Sequence, residues 1–108
     1  MTDKQIVRFC AAFRNGIVGK GGPTACCFMV CWPLATLLRL YGVDVDLVEI
    51  DYLEDEPASG AANHVWLRLP DGRALDPTAD QFNDGARRFP KVYLGDPVPG
   101  IHVVGRER

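Results

Sequence analysis

This chain has little of what usually announces a metal, nucleic-acid or membrane protein. It has two histidines, His64 and His102, isolated from each other in the sequence. It has no C-x-x-C and no H-x-x-x-H, the paired spacings that hold zinc, so neither a metal nor a cofactor is expected. It has no excess of positive charge: 12 Lys and Arg stand against 14 Asp and Glu, with no basic stripe to meet a phosphate backbone, which argues against nucleic acid. It has no long hydrophobic run, since the apolar stretch from Ala25 to Leu38 is broken by Trp32-Pro33 and is too short to span a bilayer. The opening MTDKQIVRFCAAF mixes acids and bases and lacks the apolar stretch of a signal peptide. The expectation is a soluble, cytoplasmic protein of one domain, 1–108, with reduced cysteines and no membrane partner.

What is present is an uneven distribution of cysteine. Three of the four, Cys26, Cys27 and Cys31, lie in GPTACCFMVCWPLATLL. Cys10 falls in the first predicted helix, Asp3 to Asn15, where Ile6, Phe9, Cys10 and Phe13 form one apolar face. Thr2 and Gln5 make a capping box at its start and Asn15-Gly16 a stop signal at its end, so Cys10 reads as a core thiol. A glycine-rich loop, GIVGKGGPT, leads to a second helix over about Thr24 to Tyr41, closed by Gly42 and apolar almost all round. Pro33 either kinks this helix or marks a later start near Trp32. In the first case Cys27 lies in the first turn, where free backbone amides favour a thiolate; in the second, Cys31 takes that place.

The rest reads as sheet. VDVDLVEI (43–50) alternates apolar and acidic residues and predicts a strand with one wet face. YLEDEPASGAAN reads as an acidic surface loop, ADQFNDGARRFP as irregular or a short helical turn, and KVYLG and IHVV as short strands. Two helices followed by a mostly antiparallel sheet make an α+β fold, with a central helix packed on the sheet.

The informative segment is HVWLRLPDGRALDPT. Pro70-Asp71-Gly72 fits a three-residue hairpin loop, a type I turn with a G1 bulge. Leu67 then opposes Leu75 and Trp66 opposes Asp76, and His64 and Asp76 become diagonal neighbours on one face, roughly 7–8 Å apart along the backbone. Val65, Leu67, Leu69 and Leu75 fall on the other face, as core. A two-residue loop would instead separate His64 from Asp76. Asp76 before Pro77 also suits a simple turn, Trp66 suits packing, and Gln81 suits either capping a turn or ordering a site. With Cys27 as nucleophile, His64 as base and Asp76 as orienter, the residue types needed for thiol acyl chemistry are all present.

These segments resemble the papain-like and transglutaminase-like cysteine enzymes of bacteria and phages. CFMVCWPLATLLRLYG is similar to their C-x-x-x-S-x-x-L-x-x-x-L-x-x-x-G helix, with Cys27 at the nucleophile and Cys31 at the small serine position. NHVWLRLPDGRALDPTADQF is similar to their H-x-W…D-x-T-x-x-Q-F segment, with His64 as base and Asp76 as third member. The resemblance covers Gly22 to Phe82. It implies a nucleophile helix packed on an antiparallel sheet, a Cys27–His64–Asp76 triad and a protein or peptide amide as substrate. No Gln precedes Cys27 in GKGGPTA, so the resemblance leaves the second oxyanion donor unassigned.

Overall fold

The computed structural model describes residues 1–18, 27–49, 64–83, 88–99, 101–102 and 106–107, with the backbone alone at 17–18, 27–29 and 106–107. The glycine-rich loop at 19–26, with Cys26, and the acidic loop with Glu54-Asp55-Glu56 lie outside the described residues. Helix α1, Asp3–Val18, begins on the expected capping box. Thr2 N–H donates to Gln5 Oε1 at 2.8 Å, and Gln5 N–H donates back to Thr2 Oγ1 at 3.2 Å. The helix does not stop at Asn15-Gly16 but runs on to Val18. A glycine costs a helix only about 1 kcal/mol relative to alanine, so Gly16 permits a stop without imposing one.

Helix α2, Cys27–Leu40, is a single element with Pro33 inside it. The start near Trp32 is therefore excluded, and Cys31 lies within the helix. A Schellman motif ends it: Val43 N–H reaches Leu38 O at 2.9 Å, Gly42 N–H reaches Arg39 O at 3.0 Å, and Gly42 takes φ +84°.

Five strands form one antiparallel sheet in the order β4-β3-β2-β1-β5. They are β1 Asp46–Glu49, β2 Val65–Arg68, β3 Ala74–Asp76, β4 Tyr93–Gly95 and the two-residue β5 Arg106–Glu107. The β2–β3 hairpin has the expected register, Leu67 opposite Leu75. Its loop closes through Gly72 N–H to Leu69 O and Leu69 N–H to Arg73 O, both 2.9 Å, with Gly72 at φ +90°. The fold is thus α+β, two helices on an antiparallel sheet.

The helices cover one face. Ile6, Cys10, Cys31, Leu34 and Leu38 meet Leu47, Val65, Leu67, Leu69 and Leu75 in one buried cluster. Burial of this apolar area is the main driving force for assembly. The chain directions follow from polar contacts. Cys31 Sγ lies 3.5 Å from Val65 O, and Arg39 donates to Val45 O through Nε at 3.0 Å and Nη2 at 2.8 Å. So α2 runs parallel to β2, with its first turn at the Val65 end. Helix α1 runs the other way: Asp3 pairs with Arg73 at the hairpin turn, while Arg14 pairs with Asp80 beyond β3.

The opposite sheet face differs from expectation. Instead of one wet face, β1 has Leu47 buried in the helix-side core and Val48 buried on the far side with Trp66 and Ala74. Ile101 and His102 lie in a turn, not a strand, and His102 rests on that far face between Trp66 and Tyr93.

Both left-handed glycines have open space where a Cβ would project, so substitution there tests backbone strain alone. Gly42→Ala and Gly72→Ala should each lower stability by about 1–2 kcal/mol, with Asn recovering part of the loss. Urea titration should show a lower midpoint at unchanged slope.

Candidate functional site

At the end of the sheet where β2 begins and β3 finishes, the chain places its ionisable core. His64 immediately precedes β2, Asp76 ends β3, and both are buried. The hairpin register puts them on the far face, and the side chains close the remaining gap: His64 Nε2 lies 2.7 Å from Asp76 Oδ2. The expected His64–Asp76 pairing is therefore present.

A third member was not anticipated. His102 Nε2 lies 2.8 Å from the same Asp76 Oδ2, so the two histidines meet on one carboxylate oxygen. Their separation by 38 positions hid this, because a turn at Ile101 and His102, in place of the start of the predicted IHVV strand, delivers the second ring; Val103 and Val104 lie outside the described residues. The remaining oxygen, Oδ1, accepts from Thr78 N–H at 3.0 Å and Thr78 Oγ1 at 3.4 Å. Burial works to raise the Asp76 carboxyl, but the N–H donors of His102 and His64 outweigh it and hold the group at about 2.

The protons can be assigned from the network. Ionised Asp76 only accepts, so Thr78 spends its hydroxyl proton on Oδ1 and its oxygen accepts from Gln81 Nε2 at 3.2 Å. The Gln81 atom facing His64 Nδ1 at 3.2 Å is then the amide nitrogen, which donates. His64 Nδ1 is an acceptor and its proton sits on Nε2. For His102, Val98 N–H donates to Nδ1 at 2.8 Å, again leaving the proton on Nε2.

This settles what the trio can hold. His64, Asp76 and His102 lie close enough together to suggest a metal site. Yet a metal needs the Nε2 lone pairs, and both Nε2 atoms carry protons that they donate to Asp76. The geometry is that of a hydrogen-bonded His–Asp–His cluster, and these residues do not fit a metal ion.

A 3-10 turn, Ala79–Phe82, supports the site. Gln81 bonds both Thr78 Oγ1, at the head of this turn, and His64 Nδ1. Phe82 meets the His64 ring edge-on, with centroids 4.7 Å apart. Asp80 accepts from Arg14 Nη2 at 2.8 Å, tying α1 to the turn. Arg14 is buried, and its Nε and Nη1 have no partner among the described residues. Trp66 is fully buried and acts as packing beneath His102.

Of the cysteines, Cys10 and Cys31 are buried in the helix-side core, and burial pushes the Cys10 thiol up to about 12. Cys27 is the first residue of α2, at the Val65 end of the sheet; its side chain lies outside the described residues.

Compared with protein-family models, curated proteins and solved structures, the chain matches none. Among the described residues no helix is long and apolar enough to cross a membrane.

Asp76 gives the site a measurable signature. Its folded pKa lies below the ordinary 3.8, so its contribution to stability is complete above about pH 4 and is lost as pH falls toward about 2. The contribution is about 2–3 kcal/mol. In denaturant titrations the stability gap between wild type and Asp76→Asn should narrow as pH falls across that window.

Proposed function

We propose that the chain is a cysteine-dependent amide hydrolase or acyl-transfer enzyme with a papain/transglutaminase-like core, in which Cys27, His64 and Asp76 form the triad. The observation that carries this reading is the buried 2.7 Å His64–Asp76 pair at the end of the sheet where α2 begins with Cys27. Helix N-terminal amides favour a thiolate at such a position.

The chemistry then runs through His64 Nδ1, since Nε2 is committed to Asp76. Nδ1 takes the Cys27 thiol proton, and the sulfur attacks a carboxamide carbon to give a tetrahedral oxyanion. Nδ1–H returns the proton to the nitrogen as the C–N bond breaks, leaving a thioester and a free amine or ammonia. Water, or a second amine, gives its proton to Nδ1 and attacks the thioester carbon, and the C–S bond breaks to restore the thiol. Asp76 stays ionised throughout and stabilises the transient imidazolium. Peptide cleavage, glutamine deamidation and amine transfer all share these steps.

One observation favours a second reading, a catalytically silent binding or accessory module with the same core. Gln81 donates to His64 Nδ1, the atom the mechanism needs, and must release it before a proton can be taken.

Iodoacetamide alkylation, read per cysteine by peptide mass spectrometry against pH, separates the two. On the enzyme reading Cys27 reacts well below the ordinary thiol value of about 8.5 and loses this in His64→Ala, while Cys10 and Cys31 stay inert in the folded chain. A Cys27 that is inert, or that reacts like a free thiol regardless of His64, would sink the enzyme reading.

A further inference from the structure

The two histidines on Asp76 are not equivalent, and the difference lies at their other nitrogen. The partner of His64 Nδ1 is the side-chain amide of half-buried Gln81, which can swing away. The partner of His102 Nδ1 is a backbone amide, which cannot. Val98 N–H donates to His102 Nδ1 at 2.8 Å, and His102 N–H donates to Val98 O at the same distance. The two residues thus clasp each other on both sides of one turn. Val98 sits between Pro97 and Pro99, whose rings fix φ on either side of it. The ring is held in plane as well. It stacks on Tyr93 at 5.5 Å and 21°, and contacts Trp66 at 5.1 Å. Tyr93 is itself pinned by its hydroxyl, which donates to Asp96 O at 2.6 Å.

With Nδ1 accepting from the fixed Val98 amide, the His102 ring presents its N–H at Nε2, pointing at Asp76 Oδ2. We propose that His102 is a positioning residue for the triad: it holds Asp76 Oδ2 in place for His64 and draws off part of the carboxylate's negative charge. This role rests on the reading of His64 as the proton-transferring base.

The consequence is a balance in His64. A carboxylate with no other donor on Oδ2 would bind the imidazolium tightly, and His64 would hold its proton when it must return it to the leaving amine. A neutral N–H on the same oxygen offsets that attraction while keeping Asp76 ionised. The Arg14–Asp80 pair approaches from the 3-10 turn and stays the same in every variant below, so it does not contribute to the differences read.

The test follows both imidazoles by long-range proton–nitrogen correlation spectra of the full, nitrogen-15-labelled chain. With two histidines in the chain, each variant at one assigns the other. In wild type, the His102 spectrum should report the Nε2–H tautomer. In His102→Leu the His64 midpoint should rise by about one pH unit. His102→Gln, whose amide N–H can take the place of the imidazole donor, should return it toward wild type.

A wild-type His102 in the Nδ1–H tautomer, or a folded Leu variant with an unchanged His64 midpoint, overturns the proposal and leaves His102 as packing. Should the Leu variant fail to fold, Val98→Pro removes the amide and keeps the ring. His102 should then populate both tautomers, and an unchanged tautomer overturns the proposal. Cys27 alkylation measured in parallel separates this from the enzyme reading: a shifted His64 with an inert Cys27 removes the thiol chemistry and leaves the positioning role standing.

Discussion

Everything at this end of the molecule depends on keeping one carboxylate ionised without water. Asp76 is fully buried, and a buried charge survives only when its oxygens are filled by donors. Four donors do this, two on each oxygen: His64 and His102 on Oδ2, and the Thr78 amide and hydroxyl on Oδ1. They come from three separate segments, the start of β2, the residues just after β3 and the C-terminal turn. The carboxylate therefore ties these segments together as well as orienting the imidazoles. Removing one partner would leave a buried charge under-satisfied, so the cluster stands or falls as a unit.

The cluster also explains why the sheet is buried on both faces. The helix-side face is closed by α1 and α2 in the ordinary way, through aliphatic contacts. The far face is closed differently. The C-terminal turn brings His102 down onto Trp66 and Tyr93, and the ring is anchored by Asp76 beside them. An imidazole suits this place because it offers an apolar face to two aromatic rings and a polar edge to the carboxylate. Val48, expected at a half-wet strand, is buried in the far-face cluster with Trp66, Ala74 and Tyr93.

Chemically, the arrangement separates two jobs that similar residues could have confused. Both histidines donate Nε2–H to the same oxygen, yet only His64 has a second nitrogen whose partner can leave. On the proposed reading, proton transfer falls to one ring and support to the other. The distinction arises from what faces Nδ1, a side-chain amide in one case and a proline-flanked backbone amide in the other.

Much of this was legible in the sequence where the signal is local. The capping box at Thr2 and Gln5, the glycine stop at Gly42 and the Pro70-Asp71-Gly72 turn are set by neighbouring residues, and each is present. The hairpin length fixes the register, and the register fixes which residues share a face, so the His64–Asp76 pair and the core face of Val65, Leu67, Leu69 and Leu75 followed from a count. Signals that only bias the backbone were less secure: Gly16 did not stop α1, and Pro33 did not start α2. The tertiary structure alone decided that His102 joins Asp76, that Gln81 faces His64 and that β1 is covered on both sides. The His102 contact depends on where a long connection returns, and the Gln81 contact on how the 3-10 turn after β3 aims its side chain. No periodicity in the sequence encodes either, because both are contacts between separate segments.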